Sequence, residues 1–309
     1  MDMALVLFNR LLSLFIIIII GFAVIRSGLV KASEIRSISM LSLYIVCPFA
    51  VMNAFEVNCT PEILGGMLLA VVFAVLTHVV FIIAMRLLRQ PLKLSDIERA
   101  SVIYSNAGIL TIPLVTSMLG PEWVIYTCAY NLVQITLQWT HLRMMISGEK
   151  HIEIRKILLN PNIIAIYIGV VIFFTGFRFP GPIDSAIDMI SAMIGPLGML
   201  ITGLMIGSMP LKRLVSFRRA WLTVFLRLLA MPLIMALIAK SGLASFASGG
   251  ETVLMISLLA AAGPCGSTVM QMSQIYNDNA TAEYASAINV ISMLCCAVTM
   301  PLVVAFYYL

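Results

Sequence analysis

Charge is scarce in this chain: Asp, Glu, Lys and Arg make up 11% of its 309 residues, against 61% hydrophobic residues and a mean hydropathy of +1.05. A soluble globular domain is excluded, because its surface needs far more charge. Histidine is also rare. His78, His141 and His151 stand near no nucleophile at readable spacing, and there is no Gly-x-Ser-x-Gly, no His-Glu-x-x-His and no Gly-rich phosphate loop with Lys. Enzyme chemistry therefore lacks its usual residues, and the chain is not read as an enzyme. The six cysteines form no Cys-x-x-Cys pair, and all but Cys59 fall in apolar runs, where cysteine acts as a small hydrophobe. No disulfide, metal or cofactor is expected.

Long apolar runs fill the rest. Several exceed the roughly 20 residues that cross a bilayer, and they are too long and too uniformly apolar for barrel strands, so the fold class is an all-α polytopic membrane protein. The first run, Phe8 to Ile25, has no small-residue cleavage site and reads as a retained helix. Ten spans are expected, at about 5–25, 36–57, 63–88, 98–119, 122–146, 160–177, 183–209, 217–239, 252–276 and 281–307. The net charge of +5 then reports topology and not nucleic acid. Fifteen of the nineteen basic residues fall in the first, third, fifth and seventh connections, among them Arg26, Lys31, Arg89, Lys93, Lys150, Lys156, Lys212, Arg213 and Arg219. The even connections hold Glu56, Glu62, Glu122, Asp184, Asp188 and Glu251. This alternation predicts cytoplasmic odd connections and both termini outside. Trp123, Trp139, Trp221 and Tyr307-Tyr308 lie near span ends, as interfacial anchors would.

Two spans are interrupted. The fourth contains Ser105-Asn106-Ala107-Gly108 followed by Pro113, and the ninth contains Ala262-Gly263-Pro264-Cys265-Gly266-Ser267, with Pro264 lying 151 positions after Pro113. The same shift carries Asn9 onto Asn160 and Arg89 onto Lys240. These anchors fit a five-span unit repeated once, over 1–150 and 151–309, with the second copy inverted because five is odd. Paired, Gly/Pro-interrupted spans in inverted halves point to a secondary transporter with its site at the repeat interface. Unwound backbone at that depth survives only in protein or beside a cavity, where half-helix starts favour anions. The substrate-site candidates are Asn106, Gly108, Pro113, Asn131, Pro264, Ser267 and Gln271. Arg227, ten residues into span eight, fits either a substrate carboxylate or a structural pairing with Glu283 or with freed carbonyls. His78 fits either a coupling proton or a hydrogen-bonded structural role. A packing kink is the bland alternative for each break; an anion channel or a membrane ligand sensor on the same fold is the functional one.

Ser105-Asn106-x-Gly108-x-x-x-Ile112-Pro113-Leu114 resembles the fourth-helix signature of the auxin efflux carrier family, with Thr111 where glycine is usual. Leu159-Asn160-Pro161-Asn162-Ile163-Ile164-Ala165, Ile194-Gly195-Pro196-Leu197-Gly198-Met199 with Gly203 and Gly207, and Ala262-x-Pro264 with Tyr276-x-Asp278 agree. The short 147–159 connection is similar to the compact bacterial members. The resemblance implies ten helices with crossing, broken helices 4 and 9, a scaffold domain, and carriage of small organic anions such as auxin, malate or malonate. It also implies a homodimer in a bacterial inner membrane, with the lipid bilayer as its other partner.

Overall fold

The computed structural model describes residues 3–148, 155, 158–159, 161–208 and 216–309. Lys150, Lys156, Asn160, Lys212 and Arg213, counted above, lie outside these, as do the side chains of Asn9, Pro113 and Gln274. Twelve helices make up the described chain: α1 Met3–Arg26, α2 Ala32–Ala54, α3 Pro61–Leu87, α4 Asp96–Ile103, α5 Ile112–Leu119, α6 124–147, α7 Pro161–Thr175, α8 Gly181–Ser208, α9 Arg218–Ala239, α10 Gly250–Ala262, α11 Ser267–Tyr276 and α12 Asn279–Tyr308. Five of them, α2, α3, α8, α9 and the Ala280–Tyr308 part of α12, are long and apolar enough to cross a membrane, and shorter apolar stretches cover Phe15–Arg26, Pro161–Thr175 and Gly250–Ala262. The expected fourth and ninth spans are each divided, into α4 with α5 and α10 with α11.

Capping explains several helix starts. Thr60 and Asp278 accept from the third backbone N–H of α3 and α12, and Ser95 forms a reciprocal box with Glu98 at α4. Glu98 does more than cap. Arg219 donates to it at 3.0 Å and Tyr284 at 2.8 Å, so one carboxylate ties together the starts of α4, α9 and α12 at the basic end.

Helices α1, α2, α7 and α8 pack on one another, while α3, α4, α6, α9, α10 and α12 form a second group. The closest seam joins α1 to the second half of α8. Gly21 lies against the Leu200 carbonyl, Gly203 against that of Ile18, and Gly207 against Ile25 and Phe22. Small residues let membrane helices approach to backbone contact. Gly203→Leu would drive its side chain into the Ile18 carbonyl, so a destabilisation of about 1–3 kcal/mol is expected from overpacking, read as a lower melting temperature in detergent. An unchanged melting temperature would mean that the seam yields without cost.

At the acidic end, Glu56 in the α2–α3 connection lies beside Asp184 and Asp188, and Asn53 donates to Asp188 at 2.8 Å. Partial burial, then the neighbouring Asp184 carboxyl, raises the Glu56 pKa from 4.5 to about 6, with Arg178 pulling weakly the other way. A carboxyl that binds its proton more tightly when folded stabilises most below pH 4.5 and loses that contribution as pH rises through about 6. Glu56→Gln should therefore flatten the stability profile between pH 4.5 and 6 and raise the melting temperature at pH 7 relative to the parent. A profile of unchanged slope in that window would show that Glu56 does not titrate there.

Candidate functional site

The two helix breaks meet. Residues 104–105 and 263–266 run extended and antiparallel, with Ser105 bridged to Cys265: the Asn106 amide donates to the Pro264 carbonyl and the Gly266 amide to the Tyr104 carbonyl, each at 2.8 Å. Outside this ladder the backbone is satisfied by side chains. Gln134 donates to the Ser105 carbonyl at 2.9 Å and accepts from the Ser105 hydroxyl at 2.6 Å. Asn289 donates to the Cys265 carbonyl at 2.7 Å, and the Cys265 amide donates to Ser292 at 3.0 Å. Buried backbone without water needs this full accounting.

The prolines divide the work unequally. Pro264 sits inside its extended segment, and Gly263 before it takes φ −59° and ψ 160°, the region that a following proline favours. Pro113 stands instead in helical backbone, two residues past the end of the π-helical turn Ala107–Thr111 that leads directly into α5. Pro113 therefore does not mark the first break; the breaks face each other at Ser105 and Cys265, 160 positions apart. The Pro264 carbonyl accepts the Asn106 amide.

Four half-helix ends converge on this crossing. Helices α4 and α10 arrive with their carbonyl ends, the negative poles, and Arg227 receives them: its Nε donates to Gly263 at 2.9 Å, Nη1 to Val102 at 2.9 Å and Nη2 to Ala261 at 2.7 Å. The guanidinium also lies 5.6 Å from the Phe81 ring centre. Arg227 is 1% exposed and lines no cavity named here. Of the pairings open to it from sequence, the freed carbonyls hold it; Glu283 lies elsewhere, on a cavity at the basic end. His78 is likewise 1% exposed. Its Nδ1 lies 2.7 Å from the Ala74 carbonyl, which can only accept, so that nitrogen carries a proton, and the ring packs between Tyr104 and Tyr130.

The other two ends, the start at Ala107 of the π-helical turn that leads into α5 and the start of α11, open on a cavity of about 180 Å³. Its wall contains Asn106, Gly108, Asn131, Ser267 and Gln271, five of the seven substrate-site candidates; Pro264 is not among the described lining residues. Asn106 donates to the Ser267 hydroxyl at 3.3 Å across the crossing. Ser105, Gln134, Gln138, Asn162 and Thr268 add polar groups, and Tyr44, Val51, Ile112, Cys128, Ile135, Trp139, Ile166, Met272 and Ile275 complete the wall with Cys47. Among the described residues no Asp, Glu, Lys, Arg or His lines it. Among the described residues no cluster of His, Cys, Asp or Glu could hold a metal.

Sequence reasoning missed Asn162 and Trp139 as site residues. Asn162 carries the same signal as Asn131, an amide within an apolar run. Trp139, expected as an interfacial anchor, also faces the cavity from α6, one turn beyond Ile135. Each of the four π-helical turns also carries a residue of this centre: Tyr44 in Ser42–Val46, Gly108 in Ala107–Thr111, Gln138 and Trp139 in Gln138–Leu142, and Arg227 in Leu226–Ala230. The extra residue in such a turn re-aims the side chains around it, and these turns gather at functional sites.

A further cavity of about 560 Å³ at the basic end shares Tyr44, Gln271 and Ile275 with the crossing cavity, and one of about 370 Å³ at the acidic end shares Ile112. A search of curated proteins returns no match to this chain. The family model described as "Membrane transport protein" matches residues 6–304, nearly the whole length. This all-helical integral membrane protein is thus a transporter and not an enzyme: the chain belongs to the auxin efflux carrier family of membrane transport proteins.

Proposed function

We propose that this protein is a secondary transporter of small organic anions bearing a carboxylate, and that it binds them in the crossing cavity and works by alternating access. The observation that carries this reading is the convergence of two helical starts, that of the Ala107 turn leading into α5 and that of α11, on one uncharged, amide-lined cavity. The first N–H groups of a helix lack intrahelical partners and carry partial positive charge, so two such ends favour an anion. Access from both sides is supported by the neighbouring cavities. Tyr44, Gln271 and Ile275 separate the site from the basic end, and Ile112 from the acidic end, so small movements at either wall would expose it to one side at a time.

In this reading residues 1–150 and 151–309 are inverted five-helix repeats, the basic end is cytoplasmic, and both termini are external, in a bacterial inner membrane. A reporter at Glu149 should then read as cytoplasmic and one at the carboxy terminus as external; opposite readings at both would reverse the orientation. The transport test is counterflow in proteoliposomes with mono- and dicarboxylates, with and without imposed proton or sodium gradients. A carrier saturates and exchanges labelled for unlabelled substrate. Current without exchange would make the protein a channel, and binding without flux would make it a sensor.

A further inference from the structure

We propose that His141 is a proton-binding site, and that Tyr104 transmits its state to the crossing of the two broken helices. The proposal is independent of which solute fills the crossing cavity.

The geometry around one hydroxyl carries it. Tyr104 Oη lies 2.8 Å from His141 Nδ1 and 3.3 Å from the Leu137 carbonyl. A tyrosine hydroxyl has one proton to donate, and a carbonyl only accepts. With Nδ1 bare, Tyr104 donates to the histidine. With Nδ1 protonated, the imidazolium donates to Tyr104 and the hydroxyl turns to Leu137. Taking up a proton therefore leaves no group without a partner, and it draws the Tyr104 hydroxyl toward Leu137.

The location suits a proton taken from water at the basic end. His78 is 1% exposed, and its Nε2 is sealed without a partner, whereas His141 is half-buried. Arg99 is the charged group that acts on His141, and it pairs at 2.7 Å with Asp96, which is half-exposed at that end. Other charged groups on the packed helices are engaged elsewhere: Glu98 of α4 with Arg219 and Tyr284, and Arg143 of α6 over the Tyr276 ring of α11. From α3, His78 stands 6.1 Å across the Tyr104 ring and is bonded to Ala74. Among the described residues no carboxylate pairs with His141 and holds it charged. Histidine is the side chain whose charge changes between about pH 5 and 8.

Two connections lead from His141 to the crossing. Tyr104 is fully buried at the end of α4, its carbonyl accepts the Gly266 amide, and the next residue is bridged to Cys265. His141 also shares the π-helical turn Gln138–Leu142 with Gln138 and Trp139, which line the cavity. A movement of Tyr104 toward Leu137 thus acts on the antiparallel pair directly and on the cavity wall through one turn. Coupling is reciprocal, so the arrangement of the crossing that shortens the Leu137 bond is also the one that holds the proton.

The test uses the purified full-length protein in detergent, with isotope-labelled histidine followed by NMR between about pH 5 and 8. The chain has three histidines, and the His141 signal is the one missing from His141→Gln. Where that variant does not fold, His78→Gln and His151→Gln assign the signal by elimination. In a second arm Trp123→Phe with Trp221→Phe leaves Trp139 as the single tryptophan, and its emission is read over the same range. The expected result is that His141 titrates and that Trp139 emission follows with the same midpoint. Tyr104→Phe should move that midpoint by about 0.5 pH or more and shrink the Trp139 response about twofold or more. A His141 that keeps one protonation state across the range would overturn the proposal. A titration that Trp139 does not follow, or that Tyr104→Phe leaves unchanged, would overturn it as well and make His141 an ordinary histidine near the basic end.

Discussion

Arg227→Gln should cost about 3–5 kcal/mol of stability, enough to remove most folded protein from a detergent extract. Three charge-assisted hydrogen bonds end at Val102, Ala261 and Gly263, and no water is at hand to replace them. Glutamine is shorter and offers one amide nitrogen, so it leaves buried carbonyls unpaired and the negative poles of α4 and α10 facing each other uncompensated. Arg227→Lys should recover part of the loss, because an ammonium restores the charge without the planar fork. Melting temperature and folded yield measure the effect. A second readout separates structure from ligand binding: in whatever fraction of Arg227→Lys folds, carboxylate affinity should match the parent, since the guanidinium does not line the cavity. Normal stability with lost affinity would reverse this assignment and make Arg227 a substrate contact.

The basis of that prediction was half legible in the sequence. A cation deep in an apolar span signals a buried partner by its type alone, but the partners are main-chain carbonyls on two other helices, and nothing in residue spacing encodes them. The helix breaks were legible for a similar reason: Asn, Gly and Pro inside an apolar run cannot all be lipid-facing helix. Their position was less so. Proline is the loudest local signal, yet Pro113 sits in helical backbone that already begins at Ala107; the first extended segment is formed by Tyr104 and Ser105, held by Gln134 and by the opposing strand. That stabilisation is tertiary, so local propensity is silent about it. The same limit explains Trp139. Aromatics near span ends favour the interface on average, and whether one also faces a cavity depends on the helical turn that contains it; here that turn is π-helical, and such turns have no residue signature. The cavity amides were visible individually; which of them share one cavity depends on how α2, α6, α7 and α11 pack.

Asn106→Ala should weaken carboxylate binding tenfold to a hundredfold while leaving the fold nearly intact. The side chain lines the cavity between the Ala107 turn leading into α5 and the start of α11, 6% exposed, and its amide nitrogen reaches the Ser267 hydroxyl at 3.3 Å, a long bond that a bound carboxylate can replace. A hydrogen bond to a charged group is worth about 1.5–3 kcal/mol, which converts to that range in Kd. The structural work of residue 106 is done by its main chain, whose amide donates to Pro264 and whose carbonyl accepts from Leu110, and alanine keeps both bonds. Stability should therefore fall by less than affinity. Ser267→Ala is the internal control: its hydroxyl accepts from Asn106, while the N–H groups of the first turn of α11 remain, so its loss should be the smaller of the two. Both variants are compared with the parent by calorimetric Kd and by melting temperature in the same detergent. Should Asn106→Ala bind carboxylates normally, the crossing is a packing kink lined by amides that satisfy one another, and the substrate must be held elsewhere. Should it lose stability and affinity together, the Asn106–Ser267 bond is structural and the cavity is shaped by it.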